Sequence, residues 1–407
     1  MNEHDLIFLI LLVGTLIVLC ILIKNGLDRT PIPALVGFIG LGFLVKLSDT
    51  TFGFLSEDAY VVFNFLAKVG VITLLFRIGL ESKVSRLMRQ LNRAGAIWIG
   101  DVFLSGILGF VVSYYLLHLS LIPSLFVGTA LTATSVGISA GIWQEAGAIR
   151  SETGETLLDV AEMDDISGIG LMAILFAIIP QMKEGVEPSL LPILGKTVVI
   201  LGMKLLLFGA FCFLFSRYIE ERLTHCFRKF EPAPSLMLTV AGIGFIMAAL
   251  AGLVGFSVAI GAFFAGLVFS RDPESVKIDA SFGAVYQLFS PFFFIGIGLS
   301  IEPQALTTAF GVGGVLLLAA LVGKVAGGGM PALLMVGRMG AILLGFSMIP
   351  RAEIAMIIMQ RGLELGEWAV PSNVFAGMVI VSAGTCILSP VIVRTLLRRW
   401  PQTERVD

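Results

Sequence analysis

Long apolar runs separated by short polar connectors fill this chain from end to end. The runs last about 17–25 residues, the length an α-helix needs to cross a bilayer core about 30 Å thick. Within them the apolar residues are continuous rather than alternating at period two, which excludes a transmembrane β-barrel. The pattern predicts thirteen spans, over residues 5–23, 31–47, 59–80, 94–117, 121–143, 156–180, 190–215, 235–252, 255–270, 284–300, 308–336, 340–361 and 373–396. The first run follows the acidic stretch Met1-Asn-Glu-His-Asp5, not the basic segment of a cleaved leader, and reads as a span.

Composition agrees. Of 407 residues, 57% are hydrophobic and only 14% charged, and the mean hydropathy is +0.97. A soluble particle of this size needs more charge on its surface. The class is all-α polytopic membrane protein, with the lipid bilayer as its solvent and no nucleic acid as partner. The four cysteines, Cys20, Cys212, Cys226 and Cys386, lie in spans or beside a basic loop and imply no disulfide framework. His4, His118 and His225 all fall in connectors.

The distribution of basic residues sets an orientation. With an odd span count and a cytoplasmic C-terminus, nineteen Lys and Arg fall on the inner side, from Lys24 and Arg29 through Lys83, Arg228, Lys229 and Arg271 to Arg405. Four (Lys46, Lys183, Lys196, Arg361) fall outside. By the positive-inside rule the N-terminus is outside and the C-terminus cytoplasmic.

Two halves of the chain resemble each other. Span two reads ALVGFIGLGFLV (34–45) and span nine VAIGAFFAGLVF (258–269), pairing Gly37 with Gly261 and Gly42 with Gly266. The next span of each half ends alike, Ile78-Gly79-Leu80 beside Ile297-Gly298-Leu299. The offset is seven spans, an odd number, so matching spans cross in opposite directions. This predicts an inverted-topology repeat, about 1–180 and about 235–396, of the kind whose sites lie at the midplane.

Under that pairing span five answers span twelve, and both carry helix breakers. Span five clusters Thr132, Thr134 and Ser135 at its centre, followed by Gly137 and Gly141. Hydroxyls satisfy freed backbone groups and glycine tolerates the unwound conformation. Span twelve has Pro350 at mid-span, with Arg351 and Glu353 directly after. Proline removes a helical hydrogen bond. The charged pair reads either as part of a site or, more simply, as a local ion pair beside a kink.

The chemistry lies in buried charge. Asp164 and Asp165 sit inside span six, eight residues past Thr156 for the first of them, about 12 Å into the helix. One charge at that depth costs at least about 2.5–3.5 kcal/mol, and a like-charged neighbour adds to it. Such a pair points to a positive ligand, a proton or a small cation. Consecutive helical residues are rotated by about 100°, so the two carboxylates face different partners. Asp159 and Glu162, nearer the cytoplasm, read as an anionic entrance or as wetted residues at the helix end. Lys324 lies inside span eleven ahead of Gly327, Gly328 and Gly329, and Asp164 or Asp165 is its natural partner. A lysine so paired can release its proton when a cation takes the carboxylate. Lys68 and Lys204, also mid-span, read as snorkelling side chains.

Four motifs in order, T-A-T-S-V-G (132–137), M-D-D-I-S-G (163–168), G-K-V-A-G-G (323–328) and P-R-A-E-I-A (350–355), resemble the monovalent cation:proton antiporter superfamily, in its electrogenic bacterial sodium/proton (NapA-like) branch. The resemblance covers nearly the whole chain. It implies an NhaA/NapA-like fold of thirteen transmembrane helices with two broken crossing helices, a moving six-helix core, and a homodimer in a bacterial inner membrane. By motif, Asp165 matches the cation-binding aspartate and Asp164 the partner that pairs with the lysine, here Lys324, the salt-bridge and proton-coupling residue. Thr134 and Ser135 match the extended peptide lining the site; Arg351 and Glu353 match a charged pair near the second crossover. Both aspartates are present where electroneutral relatives carry Asn in place of the first, which points to electrogenic exchange. The transported ions are then Na+ or Li+ and H+, with no cofactor and no enzymatic activity. Exchange of potassium for protons and a cation channel are the alternatives. Acidic rings and freed carbonyls also build ion filters, whereas no H-E-x-x-H or other hydrolase motif supports an enzyme. The sequence stops about eleven residues after the last predicted span, leaving no soluble regulatory domain of the glutathione-gated kind.

Overall fold

In hydrocarbon every backbone N–H and C=O must find an internal partner, and continuous apolar runs answer that by coiling into helices. The computed structural model describes residues 3–82, 84–183, 190–219, 222, 237–254, 257–270 and 275–402. Among these the regular elements are all helical: α1 (Glu3–Leu27), α2 (Ala34–Phe52), α3 (Glu57–Glu81), α4 (Val84–Val111), α5 (Leu121–Ala130), α6 (Val136–Glu145), α7 (Glu152–Lys183), α8 (Leu190–Leu214), α9 (Met237–Leu253), α10 (Val258–Phe269), α11 (Ser275–Leu299), α12 (Leu306–Ala332), α13 (Gly337–Ser347), α14 (Glu353–Leu365) and α15 (Ser372–Arg399). Eight helices of the described residues are long and apolar enough to cross a membrane, and three shorter ones, Leu121–Ala130, Thr239–Leu253 and Val258–Phe269, are apolar throughout. Of the residues named above, Lys83, Cys226, His225, Arg228, Lys229, Arg271 and Arg405 lie outside the described residues. Cys20, Cys212 and Cys386 are free thiols.

The chain divides into two compact units. The first comprises Met1–Val13, Leu55–Val84 and Ala173–Gly296. Its centre is the crossing of α3 and α10, where two glycines let the backbones touch. A Cβ on Gly79 would sit 2.1 Å from the Phe263 carbonyl oxygen, and one on Gly266 2.0 Å from that of Phe76. Phe76 continues the contact into an aromatic layer, 4.8 Å from Phe282 and 6.1 Å from Phe269 between ring centroids.

The second unit comprises Gly14–Phe54, Ser85–Met172 and Ile297–Asp407. Here the glycine at the end of α11 does the same against α2: a Cβ on Gly298 would lie 2.1 Å from the Ile39 carbonyl oxygen and 2.8 Å from the Gly42 Cα. A third close crossing joins α4 to α12. A Cβ on Gly327 would meet the Gly100 carbonyl oxygen at 2.8 Å, and one on Gly100 the Gly327 carbonyl oxygen at 2.7 Å. The glycines after Lys324 therefore bring another helix close, and that helix is α4. Buried apolar side chains from α6, α7 and α13, among them Trp143, Val160, Ala161, Leu343 and Leu344, pack the unit's core.

Candidate functional site

The predicted helix breaks occur where the breakers are. Span five is two helices, α5 and α6, separated by residues 131–135; span twelve is α13 and α14, separated by residues 348–352. The two non-helical stretches bond to each other. The Ser135 amide donates to the Pro350 carbonyl at 2.8 Å, and the Arg351 Nη1 donates to the Ala133 carbonyl at 2.7 Å. The Ser135 hydroxyl donates to Glu353 Oε2 at 2.9 Å. Farther along, Trp143 Nε1 donates to the Ser347 hydroxyl at 2.8 Å, and the Ser139 hydroxyl donates to the Ser347 carbonyl. Groups that each break frees from its own helix are thus satisfied across the crossing, the condition for irregular backbone at membrane depth.

Against this crossing lies a buried ion cluster. Lys324, Asp164 and Asp101 are all 0% exposed. Lys324 Nζ donates to Asp164 Oδ2 at 2.7 Å and to the Thr132 carbonyl at 2.7 Å, and it also bonds Asp101 Oδ2. An ammonium has three donors, and all three are used. The Thr134 hydroxyl completes the ring, donating to the same Asp164 Oδ2 at 2.7 Å. Asp164 belongs to α7, Lys324 to α12, Asp101 to α4, and Thr132 and Thr134 to the first break. The α7 helix is held in register by Trp98 of α4, whose Nε1 donates to the Ser167 hydroxyl at 3.1 Å, and by Gly168, where a Cβ would stand 3.4 Å from that of Ala133.

The sequence offers Asp164 or Asp165 as the partner of Lys324, the resemblance naming Asp164, and Lys324 is bonded to Asp164. Sequence reasoning missed Asp101, the lone acidic residue of its span. The signal was the same one that marked Asp164, a carboxylate at membrane depth, together with the neighbouring Gly100. Asp165 is 8% exposed, next along the helix from the lysine-bound Asp164 and rotated by about 100° from it. Asp159, at 6% exposure, is buried rather than a wetted helix-end residue. Lys68 and Lys204 lie on the exposed surface of their helices.

One expectation is corrected. Arg351 and Glu353 do not form a local ion pair; each reaches the first break instead, Arg351 to Ala133 and Glu353 to Ser135. Arg351 lies in the non-helical stretch before α14, where side chains two apart do not meet as residues three or four apart do on a helix. Its backbone is tied to α15: its amide donates to the Thr385 hydroxyl at 3.2 Å, and its carbonyl accepts from Ser382 at 2.8 Å.

Several buried polar atoms of this cluster have no hydrogen-bond partner: Asp164 Oδ1, Asp101 Oδ1, and Arg351 Nε and Nη2. Buried carboxylate oxygens are rarely left so. Beside the Lys324 ammonium, the groups around Asp164 are carboxylate, hydroxyl and carbonyl oxygens, hard ligands rather than the thiolates that soft metals take.

Known proteins share this architecture. The structure is similar to that of the sodium proton antiporter MjNhaP1 from Methanocaldococcus jannaschii, with a TM-score of 0.72 over 96% of this chain and 97% of that one, at 16% sequence identity. The sequence is 25% identical over 350 residues to the high-affinity Na+/H+ antiporter NhaS3 of Synechocystis, covering 84% of this chain and 73% of the relative. It is 28% identical over 373 residues to a Na+/H+ antiporter of Enterococcus hirae, covering 91% and 93%. The family model described as sodium/hydrogen exchanger, transmembrane matches residues 13–399, and the chain belongs to that family.

Proposed function

We propose that the protein exchanges cytoplasmic sodium or lithium for external protons, electrogenically and by elevator-type alternating access, with Asp164 and Asp165 as the seat the ions share. The observation that carries this is Asp164 itself. It lies at the crossing of two broken helices, its Oδ2 is fixed by Lys324 and Thr134, and its Oδ1 is buried without a partner. A carboxylate held this way is stabilised by whatever neutralises the free oxygen, and a proton and an alkali ion do so in turn. Thr134 and Ser135 place hydroxyls, and the first break places carbonyls, where a cation losing its water needs oxygen.

In this scheme two protons load Asp164 and Asp165 from outside, and one cation displaces them on the cytoplasmic side. The two states differ by one charge, and each charge crossing the membrane is worth about 2.3 kcal/mol per 100 mV. The matched glycine crossings, Gly79 with Gly266 in one unit and Gly298 with Gly42 in the other, support the inverted repeat that alternating access uses. An N-terminus outside, a cytoplasmic C-terminus, a bacterial inner membrane and a homodimer belong to the same proposal.

The test is dissipation of a pH gradient in proteoliposomes, with Na+, Li+ and K+ in separate arms and the voltage clamped. Wild type is expected to exchange Na+ or Li+ at a rate that follows the voltage, and Asp165→Asn to lose exchange. Wild-type rates in Asp165→Asn contradict the site; a single-channel current without proton coupling contradicts the antiporter.

A further inference from the structure

Lys324 has two acidic partners where the sequence reading supplied one. We propose that Asp101 is a second seat for the Lys324 ammonium: when a cation takes Asp164, Lys324 stays charged, held by Asp101 and the Thr132 carbonyl. Asp101 is thus a positioning residue that sets cation affinity. This rests on the exchange reading given above and deepens it.

The argument is geometric. All three ammonium donors are engaged, two by carboxylates and one by a carbonyl. Three oxygens surround Nζ within hydrogen-bond distance, the number an ammonium can serve. A cation that draws Asp164 away breaks one bond of three. The two that remain keep the ammonium hydrogen-bonded and paired with a negative charge at 0% exposure. Without Asp101 the lysine has only Asp164 as a counter-charge, and a cation must then strip a buried ammonium of its sole ionic partner. Uncompensated buried charge is the costly outcome at such a site. The α4–α12 crossing explains why the seat does not move. Gly100 precedes Asp101, Gly327 follows Lys324 by one helical turn, and the two backbones meet at these glycines.

Lys324 couples exchange, in this account, through which carboxylate it occupies. The sequence alone leaves the lysine to give up its proton when a cation takes the carboxylate; with Asp101 beside it, the lysine keeps that proton.

The experiment measures the sodium KM and maximal rate of exchange in proteoliposomes for wild type, Asp101→Asn, Asp101→Glu, Lys324→Gln and the double variant, with thermal unfolding of each in detergent. Asp101→Asn is expected to raise the sodium KM about ten-fold, within the range of coupling between contacting charged groups, while Asp101→Glu, which keeps the charge, returns it toward wild type. In the Lys324→Gln background there is no ammonium to seat, and Asp101→Asn changes KM no further. A purely structural role lowers unfolding temperature and maximal rate and leaves KM alone, and that result overturns the proposal. So does an equal KM shift with and without Lys324. Should Asp101→Asn fail to fold, Lys324→Gln is expected to restore folding to the double variant, and a double variant no more stable than Asp101→Asn overturns the proposal as well. If wild type itself shows no cation/proton exchange, the functional reading fails; if wild type exchanges and Asp101→Asn keeps a wild-type KM, only the role of Asp101 fails.

Discussion

Residues 131–135 and 348–352 interrupt two helices in the same way and are furnished differently. The first stretch carries no charge. It faces the ion cluster with a carbonyl from Thr132, which accepts from Lys324, and a hydroxyl from Thr134, which donates to Asp164. The second stretch carries Arg351, and α14 begins directly after it with Glu353. These charges turn toward the first break and toward α15 instead of the carboxylates: Arg351 to the Ala133 carbonyl and, by its backbone, to Thr385 and Ser382, and Glu353 to Ser135. In the proposed exchange, neutral, short side chains stand where an ion comes and goes. Charged side chains, each bonded to the first break, stand where the crossing has to be held. The difference separates a ligand-facing break from a clamping break, and mutations on the two sides have to act on different quantities.

The largest effect on stability belongs to the clamp. Arg351→Met removes a charge-assisted hydrogen bond to a buried carbonyl and is expected to lower stability by about 1.5–3 kcal/mol, read as a fall in unfolding temperature in detergent. Protein that remains folded is expected to keep its sodium KM. A raised KM with unchanged stability would place Arg351 among the ion ligands and erase the distinction. On the ligand side, Thr134→Val keeps shape and volume but leaves Asp164 Oδ2 without its hydroxyl donor. It is expected to raise the sodium KM about ten-fold, equivalent to about 1.4 kcal/mol, while the unfolding temperature moves less than in Arg351→Met. Loss of stability without a change in KM would make the first break a clamp as well.

Much of this was legible in the sequence, for identifiable reasons. Span length follows from bilayer thickness, so long runs such as 5–23 and 373–396 were readable directly, and α1 and α15 cover them. The breaks were readable because Pro350 cannot donate to a helix and because three hydroxyls cluster at 132–135. The Asp164–Asp165 pair and Lys324 stood out because charge in hydrocarbon needs a partner. Asp101 met that same criterion and was passed over, since nothing in the order of residues shows that α4 is the helix against which the Lys324 glycines close. Arg351 and Glu353 were misread for a related reason. Their closeness in sequence suggested a pair, but the non-helical backbone of the break sends the Arg351 side chain across the crossing to a residue 218 positions away. Local pattern predicts which groups are costly; only the packing of separate helices decides which groups relieve the cost.

The central claim is that a proton and an alkali ion compete for the Asp164–Asp165 seat. The most direct measurement is proton release from the purified protein in weakly buffered detergent when sodium is added. The account predicts release that saturates with sodium in wild type and is absent when Asp164→Asn and Asp165→Asn are combined. No release from wild type, or undiminished release from the double variant, would contradict it.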